Sequence, residues 1–305
     1  MALRKMFEAA KQALRDIVSE ATALRVALRW RRRGGQQGRT SGLPHPLVLS
    51  LTSYPPRFPT LAATLKSLLM QSVRPDHVEL WIAEKDMAAL PPAVLELRAH
   101  GLSIRACSDL RSYKKIIPAL SAHPDAVIVT ADDDAYYWPT WLEDLIAAYD
   151  PGRREVLCHR GHRIALRGDG LPAPYRTWEF DTPDRSSSLS TFPTGLGGVL
   201  YRPGILPAEA MREDLFRRYC PTGDDIWLFW MAALNGARFR KVGPIRRFIL
   251  WRGGQDVALY NQNVVGEDGN DIQIAAMIEA YGFPPAVGSQ DEAAIPSPRV
   301  AAYPD

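Results

Sequence analysis

The sequence predicts an α/β fold, a mostly parallel sheet flanked by helices, preceded by an amphipathic N-terminal helix. Three observations carry this expectation. Short β-prone apolar runs alternate with helical patterns between residues 46 and 150, and such alternation builds a doubly wound parallel sheet. The fourth of these runs ends directly at an acidic cluster, Asp132, Asp133 and Asp134, and ligands sit at the carboxyl ends of strands in sheets of this kind. Residues 1–33 instead repeat apolar side chains at steps of three and four, a helical period.

Leu3, Phe7, Ala10, Leu14, Ile17, Ala21, Leu24 and Leu28 form that stripe, with no Pro or Gly to break the helix. The run Arg29-Trp-Arg-Arg-Arg33 follows, then Gly34, Gly35 and a polar stretch to Gly42. Three fates for the stripe stay open. It can pack on its own domain, self-associate as a coiled coil in a homodimer, or lie on an anionic membrane with Arg and Trp at the headgroups.

From Pro46 onward the expected elements are a strand at 47–51, a loop at Thr52–Pro56 and a helix carrying Leu61, Leu65, Leu68 and Leu69. Strands follow at 77–83 and 102–107, with a short proline-started helix at 91–100 between them. A helix or turn at 113–120 leads to the strand 126–130, and a helix is expected over 138–149. The second half reads as a pair of short strands at 155–159 and 163–166, then a loop over 167–194 rich in Gly, Pro, Ser and Asp. Gly195-Leu-Gly-Gly198 leads into a strand at 199–201. A strong helix at 224–234, short strands at 239–242 and 247–251, and a last helix at 271–281 complete the series. The domain division expected is a helix and linker at 1–41, one domain at 42–285 and a poorly ordered tail at 286–305.

The chain has 305 residues, 46% hydrophobic and 23% charged, enough for a sizeable core and inconsistent with wholesale disorder. A net charge of +3 is too small for nucleic-acid binding across the molecule. Residues 1–40 hold ten Lys or Arg against three acids, so the rest is slightly acidic. Cys107, Cys158 and Cys220 are odd in number and lack metal-ligand spacing, which fits a reducing compartment. Without a membrane-length apolar run or a secretory block, the expected location is cytoplasmic, with peripheral contact at the inner face of the membrane through residues 1–33.

Three consecutive aspartates between Val127-Ile-Val-Thr130 and Ala135-Tyr-Tyr-Trp138 repel one another and lose hydration against apolar neighbours. A hard divalent cation relieves that repulsion, binding carboxylate and phosphate oxygens and offsetting charge on a leaving diphosphate. If the chain stays extended there, Asp132 and Asp134 share a face and Asp133 turns elsewhere.

This is the pattern of an Asp-x-Asp motif, and the chain over residues 46–283 resembles the GT-A class of glycosyltransferases, particularly its family-2-like bacterial members. The residues carrying the resemblance are Leu49-Ser-Leu-Thr-Ser-Tyr-Pro-Pro-Arg57, Ser112-Tyr-Lys-Lys115, Val127-Ile-Val-Thr-Ala-Asp-Asp-Asp134, Gly195-Leu-Gly-Gly198 and Thr222-Gly-Asp-Asp-Ile-Trp227. The resemblance implies a metal-dependent transfer from a nucleotide-sugar, a UDP-sugar by preference, to a glycan or lipid-linked acceptor. It places Thr52, Ser53, Tyr54 and Arg57 at the nucleoside, and Asp109 and Lys115 on the donor side, with Lys114 an equal candidate. Asp132 and Asp133 would contact the donor, and Asp132 and Asp134 would hold Mn²⁺ or Mg²⁺. Gly197 and Gly198 would let backbone approach the sugar.

Asp224 and Asp225 open a helix, where an aspartate can cap while its neighbour faces the cleft. The resemblance makes Asp225 the base that takes the acceptor proton in an inverting transfer. Trp227 and Trp230 read as core, whereas Trp178 in the polar loop could stack on a sugar. No histidine lies beyond His162, so the third metal ligand of some members of the class is missing; either diphosphate and water complete the metal, or another residue serves, with Asp256, Asn261, Asn263 and Asp271 as candidates. A retaining transferase, a nucleotidyltransferase and a non-catalytic carbohydrate-binding protein are the competing readings.

Overall fold

The computed structural model describes residues 2–35, 38–243, 245–252 and 269–284. Seven strands form one sheet: β1 (Leu47–Thr52), β2 (His77–Ala83), β3 (Leu102–Cys107), β4 (Val127–Ala131), β5 (Glu155–Cys158), β6 (Val199–Tyr201) and β7 (Arg238–Lys241). Their order is β7-β5-β6-β4-β1-β2-β3, parallel throughout except that β6 runs antiparallel to both its neighbours. This is the mostly parallel α/β sheet that the sequence predicts.

The central strands β1 and β4 are buried on both sides because both faces of the sheet are covered there. Leu47, Leu49 and Leu51 of β1 join one core with Val127 and Val129 of β4 and with α2 (Phe58–Leu69) and α3 (Trp141–Ala148). Val48 and Ile128 point the other way, into a second core with α4 (Asp224–Leu234) and α5 (Gly269–Tyr281). Pro59 in its first turn suits the start of α2, which buries Leu61, Leu65, Leu68 and Leu69. Nearly every side chain of α4 is buried, Trp227 and Trp230 completely, as an all-round apolar helix requires.

Sheet order decides where a site can form. β2 and β3 lie on one side of β1 and β4 on the other, so the topology switches between β1 and β4, where a crevice opens at the strand ends. Register Leu51↔Ala131 sets the loop after β1 beside the acidic turn after β4. Antiparallel β6 starts at this edge, Val199 opposite Thr130, and brings Gly195–Gly198 to it.

Some expectations are corrected. Segments 155–159 and 163–166 do not pair; Gly161–Arg163 pairs with Thr191–Pro193 inside the expected loop. Trp178 is no sugar platform: it is 3% exposed, packs on Tyr175 and Phe192, and donates its indole N–H to Ala173 O. Arg39–Thr40 pairs with Val73–Arg74, so the expected linker joins a small sheet of the domain. The tail 286–305 lies outside the described residues.

The N-terminal helix α1 (Ala2–Arg33) docks by a face that the stripe did not suggest. Ser19, Thr22 and Val26 are buried, and Val26 packs with Met70 and Trp251. Ser19 Oγ accepts the Arg252 amide at 3.0 Å, and the Arg252 guanidinium meets Glu20 at 2.6 Å and Asp16 at 3.6 Å. Trp30 lies edge-on to His100 with Lys66 over its ring, turned to the domain rather than outward. Among the described residues no helix is long and apolar enough to cross a membrane.

Candidate active site

Strand β4 stops at Ala131, and residues 132–134 form a turn. A two-residue period holds only in extended chain, so the expected shared face of Asp132 and Asp134 is not formed. Asp133 and Asp134 converge instead on Arg57, whose Nη1 lies 3.1 Å from Asp133 Oδ1 and 2.5 Å from Asp134 Oδ2. Ser53 Oγ donates to Asp133 Oδ2. Burial, the leading cause, pushes the Asp133 carboxyl up to about 7 against the opposing pull of Arg57.

The turn is shaped by residues far away in sequence. Thr64 Oγ1 on α2 lies 2.8 Å from Asp133 O and 3.1 Å from Ala135 O, and it accepts the Trp251 indole N–H at 2.6 Å. The Trp251 amide donates to Asp134 O at 2.8 Å, continuing the pairing of Ile249–Leu250 with Ala135–Tyr136. The Tyr137 hydroxyl accepts the Asp132 amide at 2.7 Å.

Asp132 faces a different group. Lys115 Nζ lies 3.1 Å from Asp132 Oδ1 and 2.9 Å from Asp224 Oδ2. The lysine is placed by a 3-10 turn at Arg111–Lys115, tied to β1 where Ser50 Oγ donates to Lys115 O at 2.7 Å. Burial disfavours its ammonium, yet Asp132, Asp224 and Asp225 together push its pKa well up, so it stays charged. Lys114 turns away to Asp109 at 3.0 Å. The fold thus brings Lys115 rather than Lys114 to the carboxylate cluster, and it holds Asp109 in an ion pair with Lys85 and Lys114 away from it.

Gly223 holds the N-cap position of α4 and no side chain caps the helix, so the capping expected of Asp224 or Asp225 is not made. Both lie in its first turn, where the helix dipole favours negative charge. Asp225 Oδ2 accepts the Gly195 amide at 2.9 Å. Burial, then Asp224, pushes the Asp225 carboxyl up to about 7, against Lys115 and the Gly195 N–H.

Gly195 is the glycine that the site needs. A Cβ there would stand 2.7 Å from Lys115 Nζ, 3.2 Å from Asp225 Oδ1 and 3.4 Å from Asp132 Oδ1. Gly197 and Gly198 have φ of +103° and +90°, and a Cβ would strike Phe248 and Trp141; their lack of side chains serves packing. Thr52 Oγ1 donates to Trp81 O across the sheet. Tyr54 is half-buried beside Arg57.

Of the five aspartates at this edge, Asp133, Asp134 and Asp224 are buried, whereas Asp132 and Asp225 are partly buried. Among the described residues no three His, Cys, Asp or Glu side chains converge as a ready metal cage. A hard cation that keeps waters and takes diphosphate oxygens needs only one or two carboxylates. The open Asp132 fits that demand, and Asp134 joins it only on leaving Arg57. Asp271 is spent elsewhere, accepting the Tyr175 amide at 2.7 Å. Asp256, Asn261 and Asn263 lie outside the described residues.

No family model and no curated protein matches the chain. Among solved structures it is similar to the mannosyltransferase PcManGT from Pyrobaculum calidifontis in complex with GDP-Man and Mn²⁺, at 14% identity over 90% of this chain and 79% of that one, TM-score 0.44. It is also similar to S. aureus TarS 1-349 in complex with UDP, at 15% identity over 76% of this chain and 65% of that one, TM-score 0.46. A third is the inositol-1-phosphate CTP transferase from T. maritima, at 9% identity over 80% and 98%, TM-score 0.39. These structures include both a sugar transferase and a CTP transferase, so a reading of function has to rest on the site's own residues.

Proposed function

We propose that the chain is a GT-A-class glycosyltransferase that moves a sugar from a nucleotide-diphosphate donor, a UDP-sugar by preference, to a hydroxyl of a glycan or lipid-linked acceptor with inversion. The observation that carries this reading is the cluster around Gly195. There a largely buried carboxylate with a raised pKa, Asp225, and a partly exposed one, Asp132, flank the buried ammonium of Lys115 at the switch point of the sheet.

Each residue has a role in that chemistry. Asp225 takes the acceptor proton as the hydroxyl oxygen bonds to the anomeric carbon and the bond from that carbon to the diphosphate breaks. A base with a pKa close to the working pH suits this task, and burial beside Asp224 provides it. The Gly195 amide, bonded to Oδ2, orients the carboxylate. Lys115 contributes positive charge to the donor side of the cleft. Mn²⁺ or Mg²⁺ held by Asp132, with Asp134 as second ligand, would offset the charge of the departing diphosphate.

The test is Asp225→Asn, which preserves size and the contact with Gly195. Turnover should fall roughly 10²–10⁴-fold while donor affinity, measured by calorimetry, stays within about twofold. An equal loss of donor affinity would reject the base assignment.

A further inference from the structure

We propose that the outward face of α1 is a docking surface for an anionic lipid membrane, independently of the reaction that the domain performs. The helix meets the domain through Ser19, Thr22, Val26 and Trp30. The apolar stripe lies opposite. Ser19 and Leu28 are nine residues apart, about half a turn round the helix from one another. Met6, Phe7, Leu14, Ile17 and Leu24 are each 60% or more exposed, and Leu28 is 45% exposed. From Met6 to Leu28 this is a row about 33 Å long, far more than scattered surface side chains need explain.

Charge decides what covers it. Arg25, Arg29, Arg32 and Arg33 line one groove with Leu28, beside the end of the stripe. Among the described side chains of the helix, the acids Asp16 and Glu20 are held by Arg252 of the domain rather than by Arg25, Arg29 or Arg32. The outward face is therefore apolar along its centre and basic along its flank, the pattern of a helix lying in a headgroup layer. A second copy of the helix laid parallel on the same seam would set Arg25, Arg29 and Arg32 against their own copies, a like-charge flank that a coiled coil does not tolerate well. Lipid phosphates provide the complementary charge.

Co-sedimentation of the full-length protein with vesicles of phosphatidylcholine alone, and of phosphatidylcholine with phosphatidylserine, tests this. Binding is expected only to the anionic vesicles, weakening roughly tenfold or more as salt rises from ~0.1 M to ~0.5 M. Two variants read the two halves of the surface. Changing Leu14, Leu24 and Leu28 together to Glu should abolish sedimentation with Tm unchanged, since these side chains touch solvent. Arg25→Glu with Arg32→Glu should do the same. A protein that ignores anionic vesicles, or whose binding survives the triple change, overturns the proposal. A dimer seen by light scattering, dissolved by the triple change and indifferent to vesicles, would assign the face to a second copy instead.

Discussion

Asp225 Oδ2 accepts the amide of Gly195 at 2.9 Å, and the same glycine leaves the space into which Lys115 Nζ and Asp225 Oδ1 project. One residue thus holds the carboxylate by its N–H and makes room for the cluster by having no side chain.

That double role separates two glycines of one motif. Gly195→Ala meets no backbone penalty, because its φ lies outside the left-handed range, but its Cβ would displace Lys115 from the carboxylates. We expect a folded protein with turnover reduced at least about tenfold, or some 1.4 kcal/mol in the barrier. Gly198→Ala combines φ of +90° with a 2.3 Å clash on Trp141, so it should lower stability by several kcal/mol. Circular dichroism melts beside steady-state rates check both, and equal melting temperatures for the two variants would contradict the assignment.

The raised pKa of Asp225 dictates a pH profile. A protonated carboxyl cannot take a proton, so kcat/KM should rise about tenfold per pH unit and level off above about 7. Asp224 is the like charge that helps raise it, with Lys115 and the Gly195 N–H opposing. Asp224→Asn should therefore move the limb to lower pH. The stability sign is the reverse of the activity sign. Carboxyls whose folded pKa is raised, Asp133 and Asp225, favour the folded state while protonated. Their contribution is complete below the ordinary value of about 4 and is lost as pH rises through about 7. Thermal melts across that window should decline, and less steeply in Asp133→Asn.

Asp132 and Asp134 should part company when replaced. Asp134 is buried against the buried Arg57, so Asp134→Ala leaves that guanidinium with the Asp133 carboxylate and Tyr54 and should cost about 2–3 kcal/mol, somewhat below a fully broken buried pair. Asp132 is a quarter exposed, and Lys115 keeps Asp224 when it is lost. Asp132→Ala should therefore cost under ~1 kcal/mol yet abolish any stimulation of donor binding by Mn²⁺. Urea melts and calorimetry with and without Mn²⁺ would show the contrast, which fails if both variants are equally stable.

The strands and main helices were legible because apolar periodicity is local: the run Val127–Thr130 and the helix Asp224–Leu234 stand in the structure as the pattern reads. What went unread depends on tertiary contact. A shared face for Asp132 and Asp134 needs extended chain through residue 134, and the strand ends at Ala131. Lys114 and Lys115 are indistinguishable until β1 pins one carbonyl through Ser50. Gly195 was passed over for Gly197 and Gly198 because clashes with Trp141 and Phe248 are invisible in sequence. Nothing local marks Thr64 or Trp251 as shapers of the acidic turn. The stripe on α1 was visible, but its docking through Ser19 and Thr22 was not, since small polar residues carry no apolar signal.

The contact of Trp251 with Thr64 and Asp134 spans 187 residues on one side and more than a hundred on the other. Contacts so distant form late, after loop-closure entropy has been overcome. The first half of the chain can therefore assemble β1 to β4 as it emerges during synthesis, while the acidic turn waits for residues 249–251 to reach it. A nascent chain halted before that point would carry every aspartate of the turn without the clasp that shapes it.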